Sequence, residues 1–222
     1  MPAEIPGRDD RDAAQRVAGI ILAGGLSQRM GGGDKGLLDL DGRSMLAHVI
    51  DRLRPQVQSM AINANGDATR FAAFALPVIA DTVAGFPGPL AGVLAGMRWA
   101  AQQSPPHGRI VTAPADAPLL PRDLVARLAA EAGDDPDAIV VAQSNGEIHP
   151  VIGLWPVALA DDLEQSLKDG VRHVRRWGAR HRMRSVAFAP ILIAGHPVDP
   201  FYNANTPEEL AALRSVLAKG SP

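Results

Sequence analysis

The sequence contains no cysteine. That one absence excludes thiol nucleophiles, thiolate-bound zinc, iron–sulfur clusters and disulfide frameworks. Nor does it have an unbroken apolar run approaching the roughly 18 residues that a membrane-spanning helix needs, so no membrane association is expected. An excess of one charge is missing too: 22 Lys and Arg stand against 24 Asp and Glu, for a formal charge of -2. Bulk electrostatic binding of nucleic acid requires a strong positive excess or a basic stripe and is therefore not expected. Residues 1–16 mix Glu4, Asp9, Asp10 and Asp12 with Arg8 and Arg11 and have no apolar centre. They do not resemble a secretory leader and read as a polar extension, which makes a cytoplasmic location the expectation. No internal repeat is present.

What is present is an ordinary globular composition, 222 residues of which 46% are hydrophobic. A chain this long buries about 70% of its unfolded surface without a disulfide or metal staple. Apolar runs at Val17 to Ala23, Ser59 to Asn63, Pro77 to Ala80, Arg109 to Ala113 and Ala138 to Ala142 read as strands. Between them, Met45 to Leu53 behind a Ser44 cap, Leu90 to Ala101 and Arg122 to Ala132 read as helices. Strands alternating with helices predict an α/β fold with a mostly parallel sheet covered on both faces. The second half is less regular. A strand over His149 to Leu154, a helix over Val157 to Asp169, an edge strand over Arg184 to Phe188 and a closing helix over Thr206 to Leu217 are expected there. Thr206, Pro207 and Glu209 supply the start signal of that last helix. No linker separates the halves, so 17–222 is read as one domain.

The densest chemical signal runs from Leu22 to Gly36, where Gly24, Gly25, Gly31, Gly32, Gly33 and Gly36 accompany Arg29 and Lys35. Glycine lets backbone N–H groups turn toward an anion, and the two cations can meet phosphates. The segment is either a phosphate loop or a flexible surface loop. It is not a Walker loop, because Lys35 lies between Asp34 and Gly36. Gly31, Gly33 and Gly36 satisfy a dinucleotide spacing but lie well past the strand end where that fingerprint belongs.

Asp81 and Asp116 each follow a predicted strand, at the carboxyl ends where ligands bind in open α/β sheets. A carboxylate there can hold magnesium, or it can simply cap a turn. Asn63 and Asn65 share a strand face and can bond a base or ribose, or serve a turn; the same two readings apply to Asn203 and Asn205. The closing helix start beside them offers N–H groups to a phosphate if Glu208 and Glu209 point away. Arg172, Arg175, Arg176, Arg180, Arg182 and Arg184 form either a solvated face or a receiver for an anion. Of the histidines, His149 beside Pro150 is the one near the expected crevice.

Together these segments resemble the nucleotidyltransferases that act on the molybdenum cofactor. The resemblance rests on Leu22-Ala23-Gly24-Gly25, Arg29-Met30-Gly31, Asp34-Lys35-Gly36, Asn63-Ala64-Asn65, Pro87-Gly88-Pro89-Leu90-Ala91-Gly92, Asp116-Ala117-Pro118 and Asn203-Ala204-Asn205-Thr206-Pro207, in that order. It implies a Rossmann-like nucleotidyltransferase fold, dependence on magnesium, and transfer of GMP from GTP to molybdenum-molybdopterin with release of pyrophosphate. Carried onto this chain, Leu22, Ala23 and Gly24 contact the nucleotide, Lys35 its phosphates, and Asn63 and Asp81 the guanine nucleotide; Gly25 is expected to join the nucleotide contacts, and Arg29 with Lys35 to steady the leaving pyrophosphate. Asp116 takes the nucleotide with magnesium, and Asn203 and Asn205 take the pterin. Proteins that deliver or receive the cofactor are implied as further partners. The competing expectations are a cytidylyltransferase of the same fold, a sugar-phosphate nucleotidyltransferase, and a guanine-nucleotide-binding carrier without chemistry. Gly25 and the segment Gly88 to Gly92 favour guanine over cytosine within the resemblance.

Overall fold

The computed structural model describes residues 16–24, 34–83, 88–204 and 206–220. The expectations for Gly25, Arg29 and Asn205 lie outside the described residues.

Strand β1 (Val17–Leu22) is an interior strand of the main sheet. Its side chains alternate, so that Val17 and Ile21 enter one apolar cluster while Ala18 and Ile20 enter the other on the opposite face. A strand that is buried on both faces must read as a continuous apolar run, which is what Val17 to Leu22 does. After a short hairpin, β2 (Asp39–Leu40) and β3 (Arg43–Ser44), helix α1 (Met45–Leu53) begins where the Ser44 hydroxyl accepts the Ala47 N–H at 3.2 Å. Met45, Leu46, Val49, Ile50 and Leu53 form its buried stripe. Strands β4 (Ser59–Asn63) and β5 (Val78–Ile79) follow, then helix α2 (Pro89–Ala101) and β6 (Arg109–Pro114). The second half supplies α3 (Leu124–Ala132), β7 (Val140–Ser144), β8 (Glu147–Pro156), α4 (Ala160–Lys168), α5 (Val174–Gly178) and β9 (Arg184–Phe188). A second hairpin, β10 (Ile191–Ile193) with β11 (His196–Val198), leads to the closing helix α6 (Pro207–Gly220).

The main sheet has the order β5-β4-β1-β6-β8-β7-β9. Its ladders are parallel except at β8, which runs antiparallel to both β6 and β7. The expectation of a mostly parallel sheet covered on both faces holds. Helices α1 and α3 pack on one face, and α2, α4 and α5 on the other. Helix α2 lies unusually close because Gly92 and Gly96 face the sheet: a Cβ at Gly96 would stand 2.7 Å from Ile20 Cγ1. A third cluster of Leu40, Met45, Leu119, Ala204, Leu210 and Leu213 fastens α6 beside the first hairpin.

Several boundaries differ from the sequence expectation. The helix expected from Arg122 starts at Leu124, and the one expected from Val157 divides into a 3₁₀ turn over Val157–Leu159 followed by α4. The strand expected over Ala138 to Ala142 is displaced to Val140–Ser144.

Along the sheet, connections leave β1 toward β4 and β5 and then return on the other side to β6. This reversal of direction opens a crevice at the carboxyl ends of β1, β4 and β6, the place where open α/β sheets bind ligands. The register sets Leu22 level with both Asn63 and Pro114, so the residues that follow these three share one rim.

Candidate active site

On the β4 and β5 side of the rim, Asn63, Asn65 and Asp81 are knitted into one unit. Asn63 Nδ2 donates to Ile79 O at 3.2 Å and to Asp81 Oδ1 at 3.0 Å, while Asn65 Nδ2 donates to Asp81 Oδ2 at 2.8 Å. Asn65 Oδ1 in turn accepts the Asp81 backbone N–H at 2.9 Å. Asn63 is 4% exposed and its Oδ1 looks across at Gly92 of α2, where an added Cβ would overlap it. Arg70 ties this turn to the far side of the glycine-rich segment. Its guanidinium donates to Asn65 O and Asp67 O, each at 2.7 Å, and pairs with Asp34 at 2.5 Å. Sequence reading passed over Arg70, since nothing local links it to Asp34.

Leu22 and Ala23 are half-buried at the end of β1, and Gly24 is exposed, with nothing within 4 Å of an added Cβ. Gly36 sits hard against the β6 exit, because a Cβ there would be 2.7 Å from Ala115 Cβ and 3.1 Å from Ala115 O. That close approach sets neighbouring Lys35 beside neighbouring Asp116. Burial raises the Asp116 carboxyl above the usual carboxylate range, and the Lys35 ammonium opposes this by lowering it. Asp116 stands between buried Ala115 and Ala117.

Ahead of the closing helix, Asn203 is half-buried between Tyr202 and the buried Ala204. The helix start next to it corrects one expectation. Glu209 turns back so that its carboxylate accepts Thr206 N–H at 3.1 Å, and Thr206 Oγ1 accepts Glu209 N–H at 3.2 Å. This reciprocal capping box places a carboxylate where a phosphate was expected to dock.

Residues 19–186 match the model of the MobA-like NTP transferase domain, about three quarters of the chain. The chain belongs to the MobA-like NTP transferase family. A molybdenum cofactor guanylyltransferase of Rhodopseudomonas palustris (strain BisB5) is 53% identical over 91% of this chain and 94% of that protein. One of Rhizobium meliloti (strain 1021) is 53% identical over 86% and 87% respectively. Among solved structures, molybdopterin-guanine dinucleotide biosynthesis protein A of Archaeoglobus fulgidus has a TM-score of 0.69 at 20% identity, covering 91% of this chain and 99% of its own. CMP:2-keto-3-deoxy-manno-octonic acid synthetase in complex with CTP scores 0.70 at 16% identity, covering 92% and 99%. At these identities the structural likeness speaks for the fold alone.

In this MobA-like transferase the arginine-rich stretch does not gather into one anion site. Arg172 donates to Leu167 O at 2.9 Å, Arg180 to Ser166 Oγ at 3.1 Å, and Arg184 to Asp135 Oδ2 at 2.8 Å. Arg175, Arg176 and Arg182 are exposed. His181 bonds Asp162 at 2.8 Å, His48 lies 2.8 Å from Leu40 O, and His107 is buried beside Ser59, all structural placements. Among the described residues no group of three or more His, Cys, Asp or Glu is arranged to hold a metal by itself. No helix among them is long and apolar enough to cross a membrane.

Proposed function

We infer that this chain transfers GMP from GTP to molybdenum-bound molybdopterin, releasing pyrophosphate and forming the guanine dinucleotide form of the cofactor. The observation that carries the reading is identity of 53% to a guanylyltransferase over nearly the whole of both chains. The geometry of the rim supports it. Asn63 spends its two amide protons on Ile79 O and Asp81 Oδ1, and Asn65 donates to Asp81 Oδ2, so the two adjacent oxygens of the Asp81 carboxylate are held in place, each with acceptor capacity left. Adjacent acceptors suit a base edge with adjacent donors, as guanine presents with N1–H and N2–H. Cytosine offers an acceptor at the middle position of its pairing edge and fits this set less well.

For the phosphates, the backbone of Leu22, Ala23, Gly24 and Gly25 and the cations Lys35 and Arg29 are the groups available. Donors of this kind stabilise charge that develops on a leaving pyrophosphate. The donor set also fits magnesium, which keeps several waters and takes one or two carboxylates together with substrate phosphates. Asp116 would hold it, and the ion would act as a Lewis acid on a phosphoryl oxygen. Asp116 and Lys35, side by side at the ends of β6 and the glycine-rich segment, orient the α-phosphate so that attacking and leaving oxygens lie in line. The attacking group is a phosphate, already anionic near neutral pH, so the chain needs no nucleophile of its own. Asn203 and Asn205 bind the pterin in this reading.

Pyrophosphate release by the purified chain tests it, measured with each nucleoside triphosphate, with and without molybdenum-molybdopterin and magnesium. GTP with acceptor and magnesium should give rapid release. Preference for CTP overturns the base assignment, and binding of GTP without any release makes the chain a carrier.

A further inference from the structure

Beyond Asp116 the rim carries a hydrogen-bonded chain that the nucleotide half does not use. Ser144, the last residue of β7, is 1% exposed, and its Oγ lies 2.8 Å from both carboxylate oxygens of Asp199 and 2.6 Å from His149 Nε2. A hydroxyl has one proton and a carboxylate only accepts. Ser144 therefore donates to Asp199, and its lone pair accepts the Nε2–H of His149. With the serine in the middle and its proton directed away from the imidazole, this is not the nucleophile, base and orienter order of a hydrolase. The far end is equally tied down. Asp199 also accepts from Asn145 Nδ2 at 3.0 Å and from the Phe201 N–H at 2.8 Å, and the His149 ring packs on Phe201 with centroids 4.8 Å apart.

The position of this chain gives it a task. The nucleotide half of the crevice lies over β5, β4 and β1, and Asp116 marks the end of β6. In-line displacement brings the attacker from the side opposite the leaving group. The next strands along the rim are β8 and β7. Because β8 runs antiparallel, its first residues, including His149, stand at the same rim where β6 and β7 end. The second substrate thus falls on the half that Ser144, His149 and Asp199 build, and Asn203 follows Asp199 by four positions.

We propose that Asp199, Ser144 and His149 are positioning residues for the acceptor, locking the segment from Asp199 to Asn203 onto the ends of β7 and β8 so that Asn203 meets the molybdopterin already oriented. The inference rests on the guanylyltransferase reading. It is tested by steady-state kinetics on the full chain with magnesium, varying molybdenum-molybdopterin at saturating GTP and the converse, with a melting curve for each variant. Ser144→Ala and Asp199→Asn should raise the KM for molybdopterin about tenfold, the scale of one lost hydrogen bond to a charged group, while the KM for GTP and kcat stay within about twofold. His149→Ala should behave like them. His149→Gln, which keeps an N–H donor within reach of Ser144, should recover most of the acceptor affinity. Unchanged acceptor KM in Ser144→Ala and Asp199→Asn, or equal losses for both substrates that track the melting temperature, would overturn the relay alone. A wild-type chain that fails to turn over GTP with molybdopterin overturns the functional reading and the relay with it.

Discussion

A methyl group added at Gly92 would overlap Asn63 Oδ1 and stand 2.8 Å from Leu22 Cδ2. Asn63 cannot yield cheaply, since it is buried and its amide already serves Ile79 and Asp81. Gly92→Ala should therefore weaken GTP binding by about tenfold or more, the scale of a lost charged hydrogen bond, with molybdopterin affinity unchanged. Titration calorimetry with GTP checks this, and unaltered affinity would remove Asn63 from the nucleotide site. Asp116 carries a different kind of strain. Burial raises its pKa above the ordinary 3.8, with Lys35 opposing. A raised carboxyl contributes stability that is fully present below the unfolded value and is lost as pH rises through the folded one. At pH 7 the charge is held at a cost, so Asp116→Asn should melt no lower than wild type there, with its relative advantage shrinking as pH falls toward 4. Transferase activity in the same variant should drop by about a hundredfold or more, the loss of several kcal/mol of transition-state stabilisation. Full activity at saturating magnesium would sink the assignment of Asp116 to the reaction.

Among the elements, the closing helix shows how a local signal secures a distant part of the fold. Thr206 and Glu209 satisfy each other's backbone N–H groups at the helix start, and Leu210 and Leu213 then pack on Leu40, Met45 and Leu119. Thr206→Ala removes the cap and should cost about 1 kcal/mol. For a domain of this size that is roughly a 2–4 °C fall in Tm, measurable by calorimetry. Kinetic constants for GTP should hold, because the nucleotide half of the rim lies over β4 and β5. A large change in GTP affinity would mean that α6 governs more of the site than its contacts show. Helix α2 works the other way: Gly92 and Gly96 weaken its local helix signal, but they let it approach the sheet closely enough for Gly92 to face Asn63.

For the molecule as a whole, ligand binding and folding are linked. A ligand that binds only the native state stabilises it by RT ln(1 + [L]/Kd), about 2.7 kcal/mol at a hundredfold excess over Kd. GTP should therefore raise the Tm of this chain, and magnesium should raise it further. In Asp116→Asn the increment from magnesium should vanish while an increment from GTP alone persists. Thermal scans at fixed GTP, with and without magnesium, separate the two contributions. A magnesium increment of wild-type size in the variant would place the ion elsewhere.

Much of the fold was legible because it is written in short-range spacing. The doubly buried run of β1, the helical stripe of α1 behind Ser44 and the box at Thr206 each involve residues within a few positions of one another. Asn63, Asp81 and Asp116 could be found the same way, as polar residues at the end of an apolar strand or just past it. Other features have no local trace. A period of two marks a strand without giving its direction, so the reversal of β8 was not visible, and the hairpins β2–β3 and β10–β11 are too short to show a period at all. Arg70 with Asp34, and Ser144 with Asp199 55 positions away, meet only because the packed fold brings distant segments together. Periodicity and capping chemistry act along the chain, and so the sequence alone states which of the longer segments are strands or helices. Which polar side chains face one another is settled by how two apolar clusters stack on opposite faces of one sheet, and that is a property of the packed molecule.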